Sequence, residues 1–160
     1  MSKRRVVVTG LGIVSPVGST VQLAWEAILA GKSGIGPIER FDVSTFATRF
    51  GGEVRDFDVS KYLSPKEARR MDAFMHYGLG AGVQAVEDSG VDFGKLDLAR
   101  CGAIMGSGIG GLEGIEHTVI DYVATKNPRK ISPFYIPSTI INMIAGHLSI
   151  RYGQIGRAHV

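Results

Sequence analysis

The apolar positions of this chain change rhythm several times, and each change marks an element. Arg5 to Thr9 is a valine-rich run, Val6-Val7-Val8, closed by Gly10-Leu11-Gly12; a short apolar run ending in glycine predicts a buried strand. Gly18-Ser19-Thr20 opens a helix reaching about Ala30, with Val21, Trp25, Ile28 and Leu29 on one face and Gly31 as its stop. Residues 31 to 63 hold no period and carry Gly34, Gly36, Pro37, Gly51 and Gly52. Loops with short strands are expected there, with a hairpin around Phe50 to Phe57.

Ser64-Pro65-Lys66-Glu67 is the clearest local signal. Serine at the N-cap, proline at the first helical position and glutamate three after the cap make a capping box. The helix behind it spaces Met71, Phe74, Met75, Gly78, Leu79, Gly82, Val83 and Val86 on one face and should end at Ser89, with Gly90 as terminator. Gly78, Gly80 and Gly82 each cost about 1 kcal/mol against alanine inside a helix. Burial against a closely approaching neighbour would offset that cost.

Cys101 to Met105 predicts a second buried strand, followed by Gly106-Ser107-Gly108-Ile109-Gly110-Gly111. A helix from Leu112 to about Thr125 places Ile115, Val119 and Tyr122 on one face. Pro128, Pro133 and Pro137 predict an extended connection. Ser138 or Thr139 then caps a last helix that buries Ile140, Ile141, Ile144 and Leu148 and ends near Tyr152-Gly153. Strands alternating with helices predict an α/β layered fold with a mostly parallel sheet.

Composition narrows the function classes. The 160 residues are 44% hydrophobic and 21% charged, enough for a single globular core. A net charge of +3 is too small to point to nucleic acid. Apolar runs are broken well short of the roughly 18 residues a membrane span needs. The start, Met1-Ser2-Lys3-Arg4-Arg5, is basic but lacks the apolar stretch of a signal peptide, and the single cysteine fits a reducing compartment. A cytoplasmic protein is expected.

Several features carry candidate chemistry. Gly106-x-Gly108-x-x-Gly111 imitates a dinucleotide fingerprint, but the acidic residue expected about 20 positions on would fall in a helix end and the Asn127-Pro128 turn. Dinucleotide binding is therefore not expected. Cys101 lies in an apolar run and reads as a buried structural thiol. His76, His117 and His147 fall on separate helices without metal-ligand spacing, so no metal is expected. Lys66, Arg69 and Arg70 form one basic group; Lys126, Arg129 and Lys130 form another. Such groups serve as solvated faces or as docking points for an acidic partner.

Four stretches together resemble the elongating β-ketoacyl–acyl-carrier-protein synthases, type II enzymes of the thiolase-like superfamily. They are Arg5-Val6-Val7-Val8-Thr9-Gly10-Leu11-Gly12 with Ser15-Pro16-Val17-Gly18, Arg70-Met71-Asp72-Ala73-Phe74, Ile104 to Gly111, and Ile131 to Thr139. The resemblance runs from residue 2 to about Gly153. It implies a layered αβαβα fold of two similar halves, of which residues 1–153 form an incomplete amino-terminal one. It also implies a cytoplasmic homodimer without cofactor, which condenses an acyl thioester with malonyl-carrier in fatty-acid elongation, with acyl carrier protein as partner. Ile109 then falls at an acyl-pocket gate. Phe134 and Tyr135 fall on the segment reaching across the dimer toward the partner's pocket, and Lys66, Arg69, Arg70, Arg129 and Lys130 where the acidic carrier docks. The family's nucleophilic cysteine and two histidines fall beyond residue 153, so this chain by itself is expected to be inactive. Residues 154–160, Gln-Ile-Gly-Arg-Ala-His-Val, depart from the pattern and read as a non-native tail, His159 included. A non-catalytic subunit akin to chain-length factors, a polyketide ketosynthase and a nucleotide-dependent oxidoreductase are the rival readings.

Overall fold

The computed structural model describes residues 4–153. The expectations for residues 154–160 and His159 lie outside the described residues. The elements in chain order are α1 (Val21–Leu29), β1 (Ile35–Pro37), β2 (Phe50–Gly52), α2 (Pro65–Ala68), α3 (Ala73–Ser89), α4 (Leu112–Thr125), α5 (Tyr135–Thr139) and α6 (Met143–Tyr152), with single 3-10 turns between them. The chain forms two compact units. One takes the residues up to Asp58 together with Gly80–Val91; the other takes Val59–Leu79 and the residues from Asp92 onward.

In the first unit, the loop ahead of α1 is stitched to the later turns of α3. Asp88 Oδ2 accepts from Leu11 N at 2.8 Å, and Gln84 Oε1 accepts from Ile13 N at 3.3 Å. The Gln84 amide donates in turn to the Ser19 carbonyl at 2.9 Å. Gly12 lets that backbone come close: a Cβ there would lie 2.8 Å from Ala85 N. Thr20 caps α1 as expected, its Oγ1 accepting from Leu23 N. The expected inner face does not hold. Trp25, Ile28 and Leu29 are more than half exposed, whereas Ala24 and Ala27 are buried. Small alanines allow the close approach that Gly18 also requires, since a Cβ on Gly18 would sit 2.5 Å from Ala24 N.

The expected strand at Arg5–Thr9 is absent, with Val6 94% exposed. At Cys101–Met105 the structure has a single bridge residue, Ile104. The sheet among the described residues is a two-stranded antiparallel one, β1 with β2, in the register Ile35 to Gly52, Gly36 to Gly51 and Pro37 to Phe50. The expected hairpin is therefore displaced, pairing residues 50–52 with 35–37, and no parallel ladder is present among these residues. Sequence pattern supplies an apolar run, but a strand exists only through the backbone groups of a paired neighbour.

In the second unit the capping box forms as expected. Ser64 Oγ accepts from Glu67 N, and the Glu67 carboxylate accepts from Ser64 N at 2.9 Å. The single long helix expected behind it is instead two, broken at Arg69–Asp72. The break is satisfied from both sides. The Asp72 carbonyl starts α3 by accepting from Met75 N and His76 N. The His76 ring donates from Nε2 to the Ala68 carbonyl at 2.9 Å, closing the end of α2; a carbonyl only accepts, so that nitrogen carries a proton. Leu63, Met75, Leu79, Ile144, Ala145 and Leu148 form the core of this unit. Gly78 faces Ile144 so closely that a Cβ would meet two of its methyl carbons at 2.8 Å. Close packing thus accounts for a glycine inside a buried helix.

The later part departs further from pattern. α4 spans Leu112–Thr125 as expected, yet Val119 and Tyr122 are exposed and no α4 residue is buried. The proline-rich connection is folded rather than extended. Asn127 Oδ1 accepts from Arg129 N to cap a 3-10 turn at Pro128–Lys130, and Pro137 lies inside α5. Neither Ser138 nor Thr139 caps α6. Both hydroxyls donate back to the Tyr135 carbonyl at 2.9 Å, and α6 begins after Asn142. Ile144 and Leu148 are buried as expected, but Ile140 is exposed and Ile141 half-buried. Gly153, at φ 64°, ends α6 in the left-handed conformation that glycine tolerates.

Candidate functional site

Four segments of the second unit converge on one constellation. The Arg70-Met71-Asp72 break lies at its centre. The guanidinium of Arg70 sits over the ring of Phe134, 4.3 Å from its centroid. Asp72 Oδ2 accepts from Gly114 N in the first turn of α4 at 2.9 Å, where a carboxylate meets unsatisfied amides and the positive end of the helix dipole. The Gly110-Gly111 turn before α4 is tied to the end of α5, with Gly111 N donating to the Thr139 carbonyl at 3.0 Å. Gly110 has φ 91°, and a Cβ on it would run into that same carbonyl. Only glycine fits there.

This arrangement places the sequence-predicted pocket residues. Ile109 immediately precedes the Gly110 turn and is 68% exposed. Phe134 is the N-cap of α5, its N donating to Ser132 Oγ at 3.1 Å, and Tyr135 is the first helical residue. The two segments are joined through their backbones at Gly111 and Thr139.

Lys66, Arg69, Arg70, Arg129 and Lys130 are all exposed. Among the described residues none of them has a carboxylate partner, whereas Arg55 pairs with Glu53 and Lys95 with Asp92. Phe134 ties the two basic groups together in space: it lies four residues after Lys130, a reach of at most about 14 Å of chain.

A cavity of about 280 Å³ is lined by Tyr62, Leu63, Glu67, Met71, Leu79, His147, Ile150 and Arg151. Arg151 donates to the Tyr62 carbonyl at 2.7 Å. Hydrogen bonds from Ser64, together with the positive charge of Arg151 and His147 nearby, hold Glu67 below the usual carboxylate value. Burial lowers the pKa of His147, against the upward pull of Glu67. The i, i+4 spacing of His147 and Arg151 was a signal that they share a helix face; nothing in the sequence showed that Glu67 would lie beside them.

Cys101 is half-buried rather than buried, at the C-cap of a 3-10 turn, its thiol 3.5 Å from the Asp97 carbonyl. It lies at no helix N-terminus that would favour a thiolate. His76, His117 and His147 fall on α3, α4 and α6. Among the described residues no cluster of His, Cys, Asp or Glu could hold a metal, and no helix is long and apolar enough to cross a membrane.

A family described as beta-ketoacyl synthase, N-terminal domain, matches residues 3–160. The chain is 58% identical over 156 residues to 3-oxoacyl-[acyl-carrier-protein] synthase 2 of Vibrio cholerae, covering 98% of this chain and 37% of that protein. Identity to the same-named protein of Synechocystis is 45% over 158 residues. The chain thus spans little more than a third of the length of these curated relatives. Among solved structures, the ishigamide ketosynthase/chain length factor superposes with a TM-score of 0.84 at 25% identity, over 96% of this chain and 38% of that one. A type II polyketide ketosynthase in complex with its acyl-carrier protein superposes with a TM-score of 0.75 at 26% identity, over 97% and 41%.

Proposed function

Because the chain belongs to the β-ketoacyl synthase N-terminal domain family and shares the thiolase-like α/β fold of solved ketosynthases, we propose that it is the front part of a 3-oxoacyl-[acyl-carrier-protein] synthase of fatty-acid elongation. The observation that carries this reading is the 58% identity, over nearly the whole chain, to the Vibrio cholerae synthase. In the reaction, a cysteine thiolate displaces the carrier thiol and takes the acyl group. Malonyl-carrier then loses carbon dioxide, and the resulting carbanion attacks the acyl thioester and expels the cysteine. That nucleophile is contributed from outside residues 1–153. The protein is cytoplasmic and acts as a homodimer without cofactor.

Within this reading, residues 1–153 supply docking and part of the substrate channel. Ile109 gates the acyl pocket, and Phe134 and Tyr135 line it from the dimer contact. Lys66, Arg69, Arg70, Arg129 and Lys130 receive the carboxylates of the carrier protein, and their lack of acidic partners among the described residues supports that role. Apolar lining suits the substrate, since each buried methylene contributes about 0.8 kcal/mol. The likeness to polyketide ketosynthases and a chain-length factor, at 25–26% identity, favours those rival readings far less than the identity to fatty-acid synthases favours this one.

Two experiments test the proposal. Residues 2–153 are exchanged for the matching segment of the Vibrio cholerae synthase, and condensation of acyl- with malonyl-carrier is assayed. Activity is expected; a folded, dimeric but inactive chimera rejects the reading. The 160-residue chain alone, incubated with radiolabelled acyl-carrier protein, should acquire no covalent label, and a labelled band would move the nucleophile into this chain.

A further inference from the structure

Arg70 is held over a ring while its N–H donors stay unengaged among the described residues. The guanidinium lies over Phe134, and among the described residues it makes no ion pair and no side-chain hydrogen bond. A planar guanidinium stacked on a ring keeps its N–H donors for an oxyanion approaching in its own plane, which a lysine ammonium cannot imitate. Phe134 in turn is not a free ring. Its carbonyl accepts from Ser138 N at 2.8 Å at the start of α5, and the last residue of α5, Thr139, holds Gly111 N, two residues after Ile109. Asp72 grips the far side of the same turn through Gly114 N. Residues 70 and 72 therefore hold both the Phe134 segment and the Ile109 turn, from within the basic group itself.

We propose that Arg70 couples docking to the pocket: a carboxylate of an acidic carrier protein engages its free edge, fixes the guanidinium on Phe134, and so steadies α5 and the Ile109 turn. The inference rests on the carrier-docking reading above and adds regulation to it. Arg70 acts here as a positioning residue, because its effect on the pocket segment passes through Phe134. A cation over a ring at an exposed site is worth enough to shift a local opening equilibrium about two- to fivefold.

The test is hydrogen exchange, read in peptides covering residues 106–112 and 131–140, with and without saturating holo-acyl carrier protein from Vibrio cholerae. In the unsubstituted chain the carrier should slow exchange in both peptides by about two- to fivefold. Arg69→Gln removes a neighbouring cation but not the ring contact, and should keep that slowing once saturated. Arg70→Gln should abolish it, and should speed exchange of 131–140 even without carrier, a readout that survives if this variant no longer binds. Slowing retained in Arg70→Gln, or lost equally in Arg69→Gln, overturns the coupling while leaving docking intact. Absence of any carrier binding by the unsubstituted chain overturns the docking reading itself.

Discussion

Asp72 Oδ2 and Gly114 N meet at 2.9 Å across 42 positions of sequence, so a carboxylate standing at the break between α2 and α3 also satisfies the start of α4. The same residue offers its carbonyl to Met75 N and His76 N. Removing the side chain should free the α4 start without opening the α3 start. Asp72→Ala is expected to cost about 1.5–3 kcal/mol, the range for a hydrogen bond involving a charged group. Asp72→Asn should recover part of that. Urea unfolding of the three chains checks the order, and a neutral Asp72→Ala would remove Asp72 from the joint.

Gly78 offers a sharper packing test, because its neighbour Ile144 is buried and cannot swing aside. Gly78→Ala gains about 1 kcal/mol of helix propensity but overpacks the contact by about 1–3 kcal/mol. Net destabilisation is expected. Ile144→Val in the same chain should relieve part of it, a coupling that a double-mutant cycle measures directly.

The Gly110 turn should be intolerant where its neighbour is not. Gly110→Ala pairs a φ of 91° with a Cβ aimed at the Thr139 carbonyl, and strain of this kind costs about 1–3 kcal/mol. Gly108 has open space around it, so Gly108→Ala should be near neutral. Equal melting temperatures for the two variants would contradict the geometry.

Acidification should weaken the second unit around Glu67 and His147 in two stages. His147 has a folded pKa below 6.5 because burial disfavours its charge, so the unfolded chain takes up the proton first. Its contribution is complete above 6.5 and is lost as pH falls through the folded value. Glu67 is likewise held below 4.5, chiefly by Ser64, so its contribution is complete above 4.5 and is lost at lower pH. His147→Gln should flatten the first stage and Ser64→Ala the second, read from urea midpoints across pH 3 to 8. Ser64→Ala should also cost about 1 kcal/mol at neutral pH through the lost cap.

The local chemistry of this chain was legible one residue at a time. Thr20, Ser64 with Glu67, the span of α4 and the Gly153 stop all formed as the pattern required, because capping and helical period are settled within a few neighbouring residues. The motifs at Arg70–Phe74 and Ile104–Gly111 mark the family by residue order alone. Burial was a different matter. Trp25, Val119 and Tyr122 lie on apolar stripes yet remain exposed, and Val6-Val7-Val8 pairs with no strand among the described residues. A stripe states what a segment could cover, not what arrives to cover it.

Amino-acid order alone determined where helices cap and stop, that Gly78 needed a close neighbour, and to which family the chain belongs. Only the tertiary structure decided that the helix breaks at Asp72, that Arg70 rests on Phe134, and that His147 lies by Glu67. The physical reason is range. Caps and periodicity act within one or two turns, whereas these contacts join residues dozens of positions apart, and their partners are chosen by the packing of the whole unit.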